Sequence, residues 1–478
     1  MLGLIFRRIR MEKKKNKYLY MGINWIIIFL MCLLLSHKLN IRSSSYYYDA
    51  AYYWTTADPV FENGFNFLNF PETFRGYFFP FSISLFKIIF GTGWGWRVYS
   101  AFMTSTMFAI LLPSFFKRNV FNIKCIVRDV FTTALFLLFW GDFMQYPLSD
   151  FAAFFFLIAG FAAAKCLTEN NAGAKPRKII LWGLLTGALF YTAYNTRAAY
   201  EYAVFFILFF IVIKLKNVKK ILSVLLLMFA GALIVALPQC MINKQYVNKF
   251  SPKIYTEAIN NYSTNLQVQQ LFWGMEMDRW ESYIGNFEDF PSPEVIFDGK
   301  TGIDILNREH ISDAADLTLK QLIKIFLKYP FDTIHIYTRH LISLMTPIYY
   351  EIYIPNLYTN KIGIISISIT LWILAGLAFV RSINLKEINT IFLWVFAGFI
   401  PAFLQLFGAP ELRFFLPVYV ILYEYLGTRV SYKDMWIYYK NKLIPTLLVV
   451  LFIVIMWIAI IGEIIGSNEY ILLINSIK

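Results

Sequence analysis

Arg7-Arg8-Ile9-Arg10 and Lys13-Lys14-Lys15-Asn16-Lys17 stand directly before the apolar run Leu19 to Ser36, LYMGINWIIIFLMCLLLS. A basic cluster followed by a run of membrane-spanning length predicts a helix whose N-terminal side stays in the cytoplasm. His37-Lys38-Leu39 follows, with none of the small residues a signal peptidase needs, so the run reads as a retained first span. The rest of the chain fits this beginning. Of 478 residues, 58% are hydrophobic and 15% charged, and the mean hydropathy is +0.54. Soluble domains carry about 25% charged residues, and a soluble globule lacks the interior volume to hide so much apolar surface. A disordered chain is excluded by the same figures. The expected fold is an all-α polytopic membrane protein.

Further apolar runs at roughly 98–116, 126–141, 146–165, 179–194, 199–213, 221–242, 362–380, 388–407, 413–427 and 443–466 bring the expected count to about eleven transmembrane helices. Tyr77 to Phe90 is too short to cross and reads as interfacial or re-entrant. Threading the chain from a cytoplasmic N-terminus puts 25 of the 44 Lys and Arg in cytoplasmic segments, with only Glu12, Asp129, Glu169, Glu387 and Asp434 of the acids. The net charge of +14 is therefore a topology signal, and nucleic acid is not an expected partner. The organisation that follows is a cytoplasmic N-terminus with the first span (1–36), an extracytoplasmic loop with interfacial helices (37–97), spans two to seven (98–242), a large extracytoplasmic loop (243–361) and spans eight to eleven (362–478). Long outward loops usually carry function. Of the four cysteines, only Cys240 approaches the outside, so no disulfide is expected.

No phosphate-binding glycine loop, dinucleotide fingerprint or zinc spacing occurs, which argues against an ATP-driven pump or a soluble-type kinase. The chemistry-bearing residues gather at the outer ends of spans instead. Asp49, within Tyr46-Tyr47-Tyr48-Asp49-Ala50-Ala51-Tyr52-Tyr53-Trp54, can take the proton of an acceptor hydroxyl at the membrane surface or serve as a solvated cap. Asp58, before Pro59, reads as a turn residue. Asp142 and Asp150, in the turn Gly141 to Asp150, can complete a site, hold a cation or cap the next helix. Arg197 reads as a functional cation or as the partner of Glu201, four residues on. Arg413, in Glu411-Leu412-Arg413-Phe414, suits a lipid phosphate through paired hydrogen bonds, or serves as an interfacial anchor. His335 and Arg339 share one helix face that can meet phosphate or lie at the membrane surface as part of an amphipathic helix.

The order of these segments resembles that of the GT-C superfamily of membrane glycosyltransferases, which includes protein O-mannosyltransferases and the aminoarabinose transferase of lipid A. Asp49-Ala50-Ala51-Tyr52-Tyr53 followed by Arg75-Gly76-Tyr77-Phe78-Phe79-Pro80 is similar to their first external loop. Pro147-Leu148-Ser149-Asp150, Lys328-Tyr329-Pro330 and Glu411-Leu412-Arg413-Phe414 resemble later landmarks. The resemblance implies transfer of a sugar from a polyprenyl phosphate donor, with inversion, on the extracytoplasmic face, to a glycan, lipid or protein acceptor in cell-envelope synthesis. It makes Asp49 the base or a metal-assisted orienting group and Asp142 a second acid. It assigns Arg75, Tyr77, Arg197, His335, Arg339 and Arg413 to substrate, and makes a divalent cation a candidate cofactor. The chain departs from the pattern where Ala50 replaces a second acid and Arg75-Gly76 replaces a proline pair. Two other readings stay open: a polysaccharide polymerase or ligase built on arginines with His335 or His340, and a lipid-linked sugar flippase. The flippase class commonly shows inverted repeats and mid-membrane charges, and neither is evident here.

Overall fold

The computed structural model describes residues 2–38, 46–62, 66–71, 75–115, 123–169, 176–215, 217–255, 266–284, 294–349, 351–355, 361–384, 399–428 without 401 and 404, 430–441, 447–457 without 449 and 456, and 472–473. The chain is mostly helical. Helix α1 (Leu2–Lys38) carries the basic cluster and the first apolar run as one rod. The segment after it folds into the short helices α2 (Tyr48–Thr56) and α3 (Asp58–Glu62), then α4 (Phe78–Phe90), which stops at Gly91 in a positive-φ conformation that glycine accepts readily. Lys87 of α4 fastens this unit. Its buried ammonium lies 2.5 Å from Asp58, donates to the Trp54 carbonyl at 2.8 Å and sits 3.6 Å from the centre of the Trp54 ring. Asp58 is thus the counter-ion of a buried lysine.

Next come α5 (Gly95–Thr106), a π-helical turn over 107–111, α6 (Leu112–Phe115), α7 (Ile123–Trp140), the single turn α8 (Asp142–Gln145) and α9 (Ser149–Glu169). Helices α10 (Pro176–Thr196), α11 (Glu201–Leu215) and α12 (Val218–Val247) follow. Small residues set the α10–α12 interface. A Cβ added at Gly187 would lie 1.7 Å from the Met228 carbonyl oxygen, and one at Gly231 would lie 1.9 Å from that of Leu184. The two backbones therefore touch, the arrangement by which apolar helices associate without a hydrophobic driving force.

The 243–361 segment contains a lobe with its own core, in which Val268, Phe272, Met275, Ile305, Leu306, Leu322, Ile325 and Ile336 are buried together. Its helices are α13 (Leu266–Glu276), α14 (Lys300–Arg308), α15 (Leu319–Lys328) and α16 (Pro330–Met345). Thr318 and Gln321 form a reciprocal cap at the start of α15. Strands β1 (Met277–Tyr283) and β2 (Glu294–Asp298) pair antiparallel, β3 (Tyr353–Ile354) adds parallel to β1, and β4 (Leu472–Leu473) completes the order β3-β1-β2-β4. This small sheet is an addition to a chain whose helical content fits the all-α expectation. Met277-Asp278-Arg279-Trp280-Glu281 is too charged to resemble a core strand, and what makes it one is pairing with β2 and β3 rather than local preference. After the lobe come α17 (Lys361–Asn384), α18 (Leu416–Thr428) and α19 (Tyr432–Lys440).

Three helices among the described residues are long and apolar enough to cross a membrane: Lys17–Ser36, Ser149–Thr168 and Val218–Val247. Phe78–Phe90 and Gly363–Ala378 are apolar but shorter. Membrane association follows, while the expected count of about eleven is not met. Helices α11 and α18, at 15 and 13 residues, are short for a hydrocarbon core about 30 Å thick. The run 98–116 is divided by the π-turn, and α7 begins with Lys124, Arg128 and Asp129. The expected runs 388–407 and 443–466 lie largely outside the described residues.

Candidate functional site

Tyr48 takes a left-handed conformation, φ 48°, at the start of α2. A bulky residue held there is strained by about 1–3 kcal/mol, and the surroundings hold it. Its hydroxyl donates to the Tyr283 carbonyl at 2.7 Å and its ring stacks on Tyr353. The next residue is Asp49. Arg75 meets its Oδ1 at 2.7 Å and Arg413 meets its Oδ2 at 2.8 Å. Arg75 spreads over the Tyr52 and Tyr53 rings, with its guanidinium carbon 4.5 and 4.9 Å from their centres. Arg413 turns its Nε to the Glu411 carboxylate, and Phe414 lies beneath both Arg413 and Arg197. Arg197 meets Asp150 at 2.7 Å. The Asp150 Oδ2 is buried without a hydrogen-bond partner.

Three guanidiniums and three carboxylates thus share one junction between the segment that follows α1, the α10–α11 turn and the start of α18. The cluster is partly open: side-chain exposure is 27% for Arg75, 24% for Asp49, 18% for Arg197 and 12% for Arg413. Burial pushes the Asp49 carboxyl up, but Arg75 and Arg413 outweigh it and hold the group well below the ordinary carboxylate range. Glu411 moves the other way. Its burial, with Asp49 and Asp150 nearby, outweighs Arg413 and raises it.

A buried amide ladder places Arg75. The Phe78 N–H donates to Asn195 Oδ1 (2.9 Å), Asn195 Nδ2 and the Tyr77 N–H donate to Gln239 Oε1 (2.8 and 3.3 Å), and Gln239 Nε2 donates to Asn243 (3.1 Å). Gly76 lies so close that a Cβ there would sit 1.7 Å from the Asn195 carbonyl oxygen. The glycine of Arg75-Gly76-Tyr77 therefore presses the segment before α4 against the end of α10, two residues before Arg197.

The residues expected to form the site divide into two groups. Asp49, Arg75, Arg197 and Arg413 come together. Tyr77 turns away, buried against α12 with its hydroxyl donating to the Val235 carbonyl at 2.8 Å. Asp142 is a bracket: its Oδ2 accepts the N–H groups of Ile352 (2.7 Å) and Tyr353 (3.0 Å), and so fixes the strand carrying the tyrosine beside Asp49. Burial raises its carboxyl to about 7, with Glu351 adding to the effect against the two N–H groups. Arg339 pairs with Asp278 at 2.6 Å and His335 is exposed on the same face of α16, both within the lobe. His340 is buried with its ring nitrogens against the carbonyls of Leu406 and Met277. The Arg197–Glu201 pairing does not form, because Arg197 is extended at φ −152° where the helix breaks, and Asp150 takes its charge.

Glu411 and Asp150 are the participants that sequence spacing undervalued. The signal for Glu411 was its place two residues before Arg413. Among the described residues, no group of three or more His, Cys, Asp or Glu side chains is arranged to hold a metal ion, and arginines engage both Asp49 oxygens. The donor set does not fit the divalent cation that the resemblance made a candidate. In comparisons with protein-family models, curated proteins and solved structures, nothing matches this chain.

Proposed function

We propose that this chain is a membrane glycosyltransferase that moves a sugar from a polyprenyl phosphate donor to an acceptor hydroxyl at the extracytoplasmic surface. The observation that carries the reading is the half-open cluster in which Arg75 and Arg413 clamp Asp49, with Arg197 beside them. A sugar linked through a polyprenyl phosphodiester brings one negative charge. Its phosphate oxygens can take over the guanidinium contacts now made by Asp49, since arginine pairs with phosphate and carboxylate by the same forked geometry. A carboxylate released from two arginines returns toward the ordinary range near 3.9 and becomes a better base. The acceptor oxygen then bonds to the anomeric carbon as the carbon–phosphate oxygen bond breaks. The acceptor proton passes to Asp49 and the bonding pair leaves with the phosphate, whose growing charge Arg75, Arg413 and Arg197 stabilise.

The topology that serves this reading has the N-terminus in the cytoplasm and the 37–97 and 243–361 segments outside. Proteoliposomes of the full chain, supplied with a panel of radiolabelled polyprenyl phosphate sugars and with cell-envelope glycans, lipids and proteins as acceptors, should label an acceptor and release free polyprenyl phosphate. Asp49→Asn should lower the rate by about 10²–10⁴-fold, the range of a lost proton acceptor, in protein that melts at a lower temperature but still cooperatively. Full turnover in Asp49→Asn would remove Asp49 from the chemistry.

A further inference from the structure

The lobe carries an apolar surface that the transfer chemistry does not use. On α15, Leu319, Ile323 and Leu327 recur every fourth residue and are 46, 49 and 76% exposed. They lie outside the face that Leu322 and Ile325 bury in the lobe core. Across the connection to α16 the surface continues with Phe331 at 85% and Ile334 at 64%. Phe331 and Leu327 are the most exposed large apolar side chains among the described residues. Lys320 and Lys324, also exposed, border the same arc one position on from Leu319 and Ile323.

We propose that the α15–α16 face of the lobe is a membrane-surface anchor, with Leu319, Ile323, Leu327 and Phe331 dipping into the acyl boundary of the leaflet and Lys320 and Lys324 meeting anionic lipid phosphates. Two observations single out lipid as the occupant. The far end of α16 is docked onto apolar helices: the Met345 carbonyl accepts from Ser368 of α17 at 3.1 Å, and that of Leu344 accepts from Tyr419 of α18 at 3.0 Å. The exposed row is therefore borne by a helix pair whose other end rests on apolar helices. The pattern of a narrow apolar arc edged by lysines is that of helices lying in the interface plane, where burial and attraction to anionic head groups add. The inference is independent of the sugar-transfer reading, because it requires no substrate.

The test uses the full chain carrying the photoreactive residue p-benzoylphenylalanine in place of Leu327, reconstituted in vesicles of phosphatidylcholine and phosphatidylglycerol in equal parts. A matched protein carries the probe at Asp304, exposed on α14. Irradiation should give lipid adducts at 327 and few at 304, detected by mass, with phosphatidylglycerol enriched over its bulk share. Lys320→Glu with Lys324→Glu should return the two lipids to parity. A crosslink to a second copy, a crosslink within the chain, or no adduct at 327 would overturn the anchor. Enrichment that survives loss of both lysines would overturn the anionic part.

Discussion

Asp142 and Asp49 show how far residue type and position reach. Both are acids in outward turns, and spacing alone treats them alike. The fold gives one to two arginines and the other to two backbone N–H groups at positions 352 and 353, some 210 residues away. No local pattern shows a partner at that distance, so Asp49 was legible as a candidate site residue and Asp142 was not legible as a bracket. Asp142 also carries a pH signature. Its folded carboxyl lies near 7 against an ordinary value of 3.8, so its contribution to stability is complete below about 4 and is lost as pH rises to about 7. Melting temperature should fall over that window, and Asp142→Asn, which keeps an acceptor oxygen but cannot ionise, should flatten the fall. Asp142→Ala should destabilise at every pH by about 1–3 kcal/mol for each buried N–H left unpaired. Equal pH profiles for the wild type and Asp142→Asn, read by thermal unfolding, would contradict the assignment.

At the scale of elements, apolar runs located most of the helices, because burial in lipid or core demands them whatever the partner. The sheet was not legible: β1 carries Asp278, Arg279 and Glu281, whose burial depends on the lobe and on the 410–411 backbone, where the Trp280 N–H donates to the Pro410 carbonyl. The amide ladder was equally hidden, since Asn195, Gln239 and Asn243 look like ordinary polar ends of spans. Yet Gln239 accepts from two elements at once and holds Arg75 near Asp49. Gln239→Leu should leave the Tyr77 N–H and Asn195 amide unpaired, at about 1–3 kcal/mol each. The consequence should be a lower melting temperature and weaker binding of phosphate-bearing ligands together. Loss of stability with unchanged phosphate binding would separate the ladder from the site.

At the scale of the molecule, charge asymmetry and apolar length point to a membrane protein, and the helix-rich fold, with three long apolar helices among the described residues, agrees. The proposed topology makes a concrete claim about sides. In intact cells, a membrane-impermeant maleimide should label Lys324→Cys in the lobe. It should not label Lys433→Cys in α19 until the membrane is opened, and the reverse pattern would invert the frame. The arginine cluster lies where that topology puts the outer surface, and it balances three positive against three negative groups. Such a site has little pull on anions in general; on the proposed function it would favour a ligand whose phosphate can replace the Asp49 carboxylate while its lipid tail remains in the bilayer. The most direct measurement is therefore equilibrium binding of polyprenyl phosphate against the matching polyprenol, by the purified full chain and by Arg75→Ala/Arg413→Ala. The account predicts tighter binding of the phosphate by the wild type and loss of that preference in the double variant. Equal binding of the two lipids by the wild type, or a preference that survives without both arginines, would contradict it.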